Sequence, residues 1–175
     1  MPLSNQLFAR FEQEMQLRNY ARTTIKTYLY CIRAYVRWLH PILPRDATNE
    51  QIHAFLLSLV AEHRSKAWIA QCISALKFLY IELYRRDPAA VRLRHPRRQS
   101  RLPYVPTRAE VLQIAGALTN RKHRLAVLLI YASGLRASEL IALEIGDVNF
   151  EKKTLTVRAG KGGRDRVTLF SAELI

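Results

Sequence analysis

Apolar residues recur at three- and four-residue steps through the first half of the chain, the spacing that lines one side of an α-helix. Leu7, Phe8, Phe11 and Met15 make a first stripe, with Ser4 placed to cap it. Ile25, Tyr28, Ile32, Tyr35, Val36 and Leu39 make a second, beginning at Thr24 and stopped by Pro41, Pro44 and Asp46. Thr48 and Gln51 stand at capping-box spacing ahead of Ile52, Phe55, Leu56 and Leu59. Ile69, Cys72, Ile73, Leu76, Leu79, Tyr80 and Leu83 form the fourth stripe. A helix with one apolar side cannot bury it alone, so residues 1–84 are predicted to pack as four helices. The first glycine is Gly116, so turns before it must use Pro, Asn, Asp and Ser.

The pattern breaks at residue 85. Pro88, Pro96, Pro103 and Pro106 oppose helix formation, because proline lacks the amide hydrogen and clashes with the preceding turn. Residues 85–103 are therefore predicted as an extended linker, with a boundary near Tyr104. Residues 104–175 then form a second unit. Thr107 and Glu110 repeat the capping-box spacing before Val111, Leu112, Ile114, Ala115 and Leu118. Leu125 to Ala132 is nearly continuous apolar sequence, predicted as a buried helix that Gly134 ends in a left-handed conformation. A short helix follows over about Ala137 to Leu143. Residues 154–158 and 166–170 alternate apolar and polar positions around Gly160, Gly162 and Gly163, which predicts an antiparallel hairpin. Ser171 to Ile175 reads as the first turn of a further helix, and the second unit is expected to be incomplete at that point.

Charge changes the picture. The 175 residues carry 28 Lys and Arg against 14 Asp and Glu, a net of +14. Such an excess is self-repelling unless an anion neutralises it, and a nucleic acid backbone is the usual polyanion. The excess is uneven: residues 1–103 hold 17 basic and 7 acidic side chains, and residues 104–175 hold 11 and 7. Arg85 to Arg101 contains seven arginines and one aspartate, so the predicted linker is the most basic stretch. Cys31 and Cys72 sit in helical apolar patterns without metal or disulfide-framework spacing, and read as small core residues in a reducing compartment. No uncharged apolar stretch reaches the length of a bilayer span, and no secretory leader is visible. A cytoplasmic, nucleoid-associated protein is expected.

Candidate chemistry is concentrated in the second unit. Arg136 follows Ser133-Gly134-Leu135, where a helix stops and the chain turns. Its planar guanidinium suits two oxygens of one phosphate. Glu139, three residues on, is spaced to brace it; an ordinary surface ion pair at helical spacing fits the same residues. Lys161, between glycines of the hairpin, can approach a phosphate and donate a proton to a leaving oxygen, although an exposed glycine-rich turn reads equally well. The segment is not a nucleotide-binding loop, because Gly162 rather than Ser or Thr follows the lysine and no helix opens there. Arg164 and Arg166 read as supporting DNA contacts or solvated charges, moderated by Asp165; Arg94, Arg97, Arg98 and Arg101 of the linker read as backbone contacts. His40, His53, His63, His95 and His123 lack metal-ligand spacing, and no metal or cofactor is expected. Trp38 and Trp68 read as core or domain-edge residues.

Taken together, Leu128 to Leu140, then Leu143, Asp147-Val148-Asn149-Phe150 and Val157 to Arg166, closely resemble the tyrosine recombinase (phage integrase) family. Tyr20 to Trp38 resembles the second helix of that family's core-binding domain, and Arg101 to Thr107 with Glu110-Val111 resembles the entry to its catalytic domain. The linker and this entry are especially similar to integron integrases, with bacterial chromosome-resolving recombinases as close competitors. The resemblance implies a mainly α fold: a four-helix SAM-like core-binding domain, then a truncated α+β catalytic domain with a β-hairpin. It implies a clamp around double-stranded DNA, tetramers on two DNA sites, and strand exchange through a 3′-phosphotyrosyl bond without cofactor. Arg136 matches the first catalytic arginine, Glu139 the neighbouring acidic residue and Lys161 the hairpin lysine. The second arginine, its histidine and the nucleophilic tyrosine would fall beyond Ile175, and the eight tyrosines here end at Tyr131. This polypeptide is therefore expected to bind DNA without cleaving it. A non-catalytic DNA-binding or architectural protein is the competing reading.

Overall fold

The computed structural model describes residues 2–96, 102–158 and 164–170. The chain separates into two compact units, residues 1–100 and 101–175.

The first unit is built from α1 (Pro2–Leu17), α2 (Arg22–Leu39), α3 (Asn49–Ala61) and α4 (Lys66–Lys77). Each predicted stripe is the buried side of its helix. Phe11 and Met15, Ile25, Leu29, Ile32 and Tyr35, Ile52, Phe55 and Leu59, and Cys72, Ile73 and Leu76 share one core. Cys31 and Cys72 are both buried and free within it. The helix starts differ from the sequence reading. Helix α1 begins at Pro2, so Ser4 lies inside its first turn, and α2 begins two residues before Thr24. The Thr48 capping box is present, with the hydroxyl accepting from Gln51 N and the Gln51 side chain accepting from Thr48 N. Ser65 caps α4 by accepting from Trp68 N.

Beyond α4 the helix widens into a π-helical turn, Phe78–Leu83, of the kind that accommodates an extra residue per turn. It carries Tyr80 inward, where the hydroxyl donates to Pro44 O (2.9 Å) and pairs with the Tyr35 hydroxyl at 2.7 Å. Arg86 continues this anchor. Its guanidinium donates to Arg45 O and Ala47 O and lies 4.5 Å from the Tyr80 ring centre. Val91 and Leu93 are buried in the same core. The stretch expected to start an extended linker at residue 85 therefore belongs, as far as Leu93, to the first unit. Its apolar pair satisfies the core while Arg92 and Arg94 stay exposed.

With no glycine at hand, three ends in this unit place other residues in the left-handed region: Asn19 (φ 57°), His63 (φ 54°) and Arg85 (φ 56°). The amides that follow return to earlier carbonyls, Tyr20 N to Met15 O, Arg64 N to Leu59 O and Arg86 N to Tyr80 O. These bonds satisfy helix-end acceptors that would otherwise lack partners.

The second unit contains α5 (Arg108–Ala117), α6 (Arg121–Ser133), the short α7 (Ala137–Ile141), and strands β1 (Val148–Asn149), β2 (Thr154–Val157) and β3 (Arg166–Leu169). The Thr107 capping box opens α5, and Gly134 ends α6 at φ 61°. Strands β2 and β3 pair antiparallel with Leu155 opposite Thr168 and Val157 opposite Arg166. The third strand, β1, pairs antiparallel with β2 and had no counterpart in the sequence reading; two residues are too few to show an alternation. Leu135, Leu155, Val157 and Phe170 form the core of this unit. Helix α6 was expected to be buried, yet Leu128 is its one buried apolar residue among those described, and Leu125 and Tyr131 are exposed. Residues 171–175, read as a helix start, lie outside the described residues. No helix among the described residues is long and apolar enough to cross a membrane.

Candidate phosphate-binding corner

Gly134 turns the chain at the end of α6, and its left-handed backbone lets Leu135 enter the core while Arg136 starts α7 from the surface. Glu139 then comes round, one turn into α7, on the same side as Arg136. Its carboxylate is buried, with 6% of the side chain exposed, whereas the Arg136 side chain is 55% exposed. Glu139 Oε2 accepts from Arg136 N (2.9 Å) and Oε1 from Arg136 Nη1 (2.7 Å). The backbone and one corner of the guanidinium are thus fixed by the same acid. Among the described residues, the rest of the guanidinium fork has no partner.

A second arginine closes on the same carboxylate from the sheet. Arg166, the first residue of β3, donates from Nη1 to Glu139 Oε1 (2.8 Å) and from Nη2 to Oε2 (2.7 Å). Nη2 also lies 3.5 Å from Gly134 O, and the Thr168 hydroxyl donates to Ser133 O at 2.9 Å. Strand β3 is therefore stitched along the end of α6. The hydrogen bonds from Arg166, and after them the Arg136 amide, hold the Glu139 carboxyl well below the usual carboxylate range. The carboxylate in turn pushes Arg166 up. At neutral pH the Glu139 carboxylate between two guanidiniums leaves the cluster one positive charge, and the more exposed of the two guanidiniums is that of Arg136.

A smaller copy of this arrangement lies close in sequence. Asp147 is buried, accepts from Glu144 N (3.1 Å) and takes the Arg158 Nε at 2.6 Å. This pair ties the turn before β1 to the end of β2. Neither this pair nor the partnership of Arg166 with Glu139 was anticipated from the sequence. Asp147 and Arg158 are 11 residues apart, and Arg166 and Glu139 are 27 apart, in different elements.

The other candidates are distributed as follows. Arg136 and Glu139 are brought together; Arg166 joins them as an internal partner rather than an outward-facing charge. Arg94 and Arg164 are exposed. Lys161, Arg97, Arg98 and Arg101 lie outside the described residues. Trp38 is partly exposed against Phe55, and Trp68 packs edge-on with Tyr30.

Comparison with known proteins places both units. Residues 7–89 match the model described as phage integrase, N-terminal SAM-like domain, and residues 106–175 match that of the phage integrase family. Over 173 residues the chain is 34% identical to a tyrosine recombinase XerA of Pyrococcus horikoshii, covering 99% of this chain and 59% of that protein. Over 167 residues it is 32% identical to an integrase/recombinase of Escherichia coli, covering 94% and 49%. The chain thus spans about half to three-fifths of the length of these relatives. Among solved structures, a lambda integrase tetramer bound to a Holliday junction has a TM-score of 0.76 at 22% identity, covering 96% of this chain and 48% of that one. The Tn1549 transposon integrase in complex with circular intermediate DNA has a TM-score of 0.69 at 15% identity, covering 96% and 61%. At those identities the likeness is one of fold.

Proposed function

The chain belongs to the phage integrase family of tyrosine recombinases, and on that footing we propose that it is the DNA-gripping front part of a site-specific recombinase. The whole enzyme breaks and rejoins duplex DNA through a 3′-phosphotyrosyl link and works as a tetramer on two sites. One observation carries this reading: a half-exposed arginine, fixed at a helix start by a buried and fully hydrogen-bonded carboxylate. That arrangement presents a guanidinium fork whose geometry is set before a phosphate arrives, the condition under which charge stabilisation of a transition state costs no rearrangement.

In this reading Arg136 neutralises charge developing on the nonbridging oxygens of the scissile phosphate, and Glu139 holds it in place. Lys161 serves as proton donor to the departing sugar oxygen. The first unit and the arginines at 94, 97, 98 and 101, with Arg164, grip the DNA backbone, which supplies affinity rather than sequence choice. The nucleophile is a tyrosine absent from these 175 residues, so this polypeptide binds DNA and does not cut it. The finer assignment, to integron integrases, rests on the likeness of the linker and of residues 101–107 and 110–111 to that subgroup, and a chromosome-resolving recombinase is the competing assignment.

The test is retention on duplex DNA. The 175-residue chain should bind at low salt, with affinity falling steeply and log-linearly as salt rises, and should form no covalent adduct on a nicked suicide substrate. Salt-independent or absent retention would overturn the DNA-gripping role. A phosphotyrosyl adduct would overturn the assignment of the nucleophile.

A further inference from the structure

We infer that Arg166 is a positioning residue that keeps Arg136 available to phosphate by taking up the charge of Glu139; this rests on the reading of Arg136 as a phosphate ligand. The argument starts from the carboxylate. Glu139 accepts four hydrogen bonds, two from Arg136 and two from Arg166, all between 2.7 and 2.9 Å. If Arg166 were absent, the one buried carboxylate would face Arg136 alone, and the pair would be electrically neutral. An incoming phosphate would then compete with an internal anion for the same guanidinium. With Arg166 present, both of the carboxylate oxygens are bridged by the planar fork of the second arginine, the geometry in which guanidinium–carboxylate pairing is strongest. The site retains a net charge of one, and the more exposed guanidinium is that of Arg136.

The same contacts argue against Arg166 touching DNA. Both terminal nitrogens point inward, to Glu139 and towards Gly134 O, and the side chain is 36% exposed against 55% for Arg136. It arrives from β3, whose Thr168 is bonded to Ser133 O, so its position is set by the pairing of the sheet rather than by α7. Lysine at 166 would supply the charge without the two-point bridge.

Charge compensation and simple bracing make different predictions, and a pair of variants separates them. The probe is inorganic phosphate, titrated into the full 175-residue chain while the Arg136 Nε–H resonance is followed by NMR; amide signals of β2 and β3 report folding. Arg166→Gln should weaken phosphate binding at Arg136 by roughly tenfold, since an uncompensated carboxylate now occupies the guanidinium. Arg166→Lys should fall between Arg166→Gln and the parent chain. The double variant Glu139→Gln/Arg166→Gln removes the internal anion together with its partner, and should recover binding to within about threefold of the parent. A bracing role alone would leave the double variant at least as weak as the single one. The inference is overturned if Arg166→Gln binds phosphate as the parent does, or if the double variant folds and stays weak. Should Arg166→Gln fail to fold, the double variant decides by the same criterion. Arg136→Gln is the control for the underlying reading: if it leaves phosphate binding intact, Arg136 is not the phosphate ligand and the proposed function fails with the inference.

Discussion

Glu139 has the properties of a structural acid placed for a functional purpose. It is nearly inaccessible, it is saturated by donors, and its carboxyl is held below the ordinary range by Arg166 first and the Arg136 amide second. A carboxyl whose folded-state pKa is depressed stabilises the fold fully above its unfolded value, and that contribution fades as pH falls through the interval between the two. The second unit should accordingly lose stability as pH drops below about 4.3, the unperturbed glutamate value. Glu139→Gln should lower its stability at neutral pH and flatten this acid limb. Urea titrations across acidic pH, read from amide signals of β2 and β3, check this; an unchanged acid limb in the variant would contradict it. Both tryptophans lie in the first unit, so their fluorescence follows that unit separately. At this scale the sequence was half legible. Arg136 and Glu139 stand three apart, and helical geometry alone brings them together. Arg166 was read as an outward charge, because nothing in local spacing says which residue of a distant strand will reach a helix start.

Among the elements, the ends are more informative than the middles. Gly134 and His63 both adopt left-handed backbone, but only one of them is glycine. A Cβ at Gly134 would meet nothing within 4 Å, so Gly134→Ala tests backbone strain alone and should destabilise the second unit by about 1 kcal/mol. His63→Gly should act in the opposite direction, stabilising the first unit by about 0.5–1 kcal/mol as the strain is relieved. Chemical denaturation of each unit reads both effects, and like signs for the two substitutions would refute the argument. The capping boxes at Thr48 and Thr107 were legible because their chemistry is confined to four consecutive residues. The wide turn at Phe78–Leu83 was not, because apolar spacing over so short a run does not distinguish α from π geometry.

For the whole molecule, the boundary between the units is where charge and packing disagree. Composition alone places the start of the linker at residue 85, where arginines and prolines begin. Packing carries the first unit on to Leu93, through the Arg86 contacts with Arg45 O, Ala47 O and the Tyr80 ring, and the burial of Val91 and Leu93. Limited trypsin digestion should therefore cut first among Arg94, Arg97, Arg98 and Arg101, giving a stable fragment that ends at residue 94 or later. Mass spectrometry of the first products checks this, and an initial fragment ending at Arg85 or Arg86 would contradict it. Bound duplex DNA should slow these cuts if the same arginines lie along its backbone.

What the amino-acid order determined by itself is what short-range geometry can enforce: four amphipathic helices, two capping boxes, a left-handed glycine, a hairpin pairing and an arginine–glutamate pair one helical turn apart. Each is set by residues close in sequence, the hairpin partners being at most 15 positions apart, so periodicity, turn chemistry and backbone preference are enough to specify it. The tertiary structure alone decided which basic residues are turned inward. Arg86 ends on the carbonyls of Arg45 and Ala47, and Arg166 on the buried Glu139, because packing brings those acceptors within reach, and a buried carboxylate without a donor is costly.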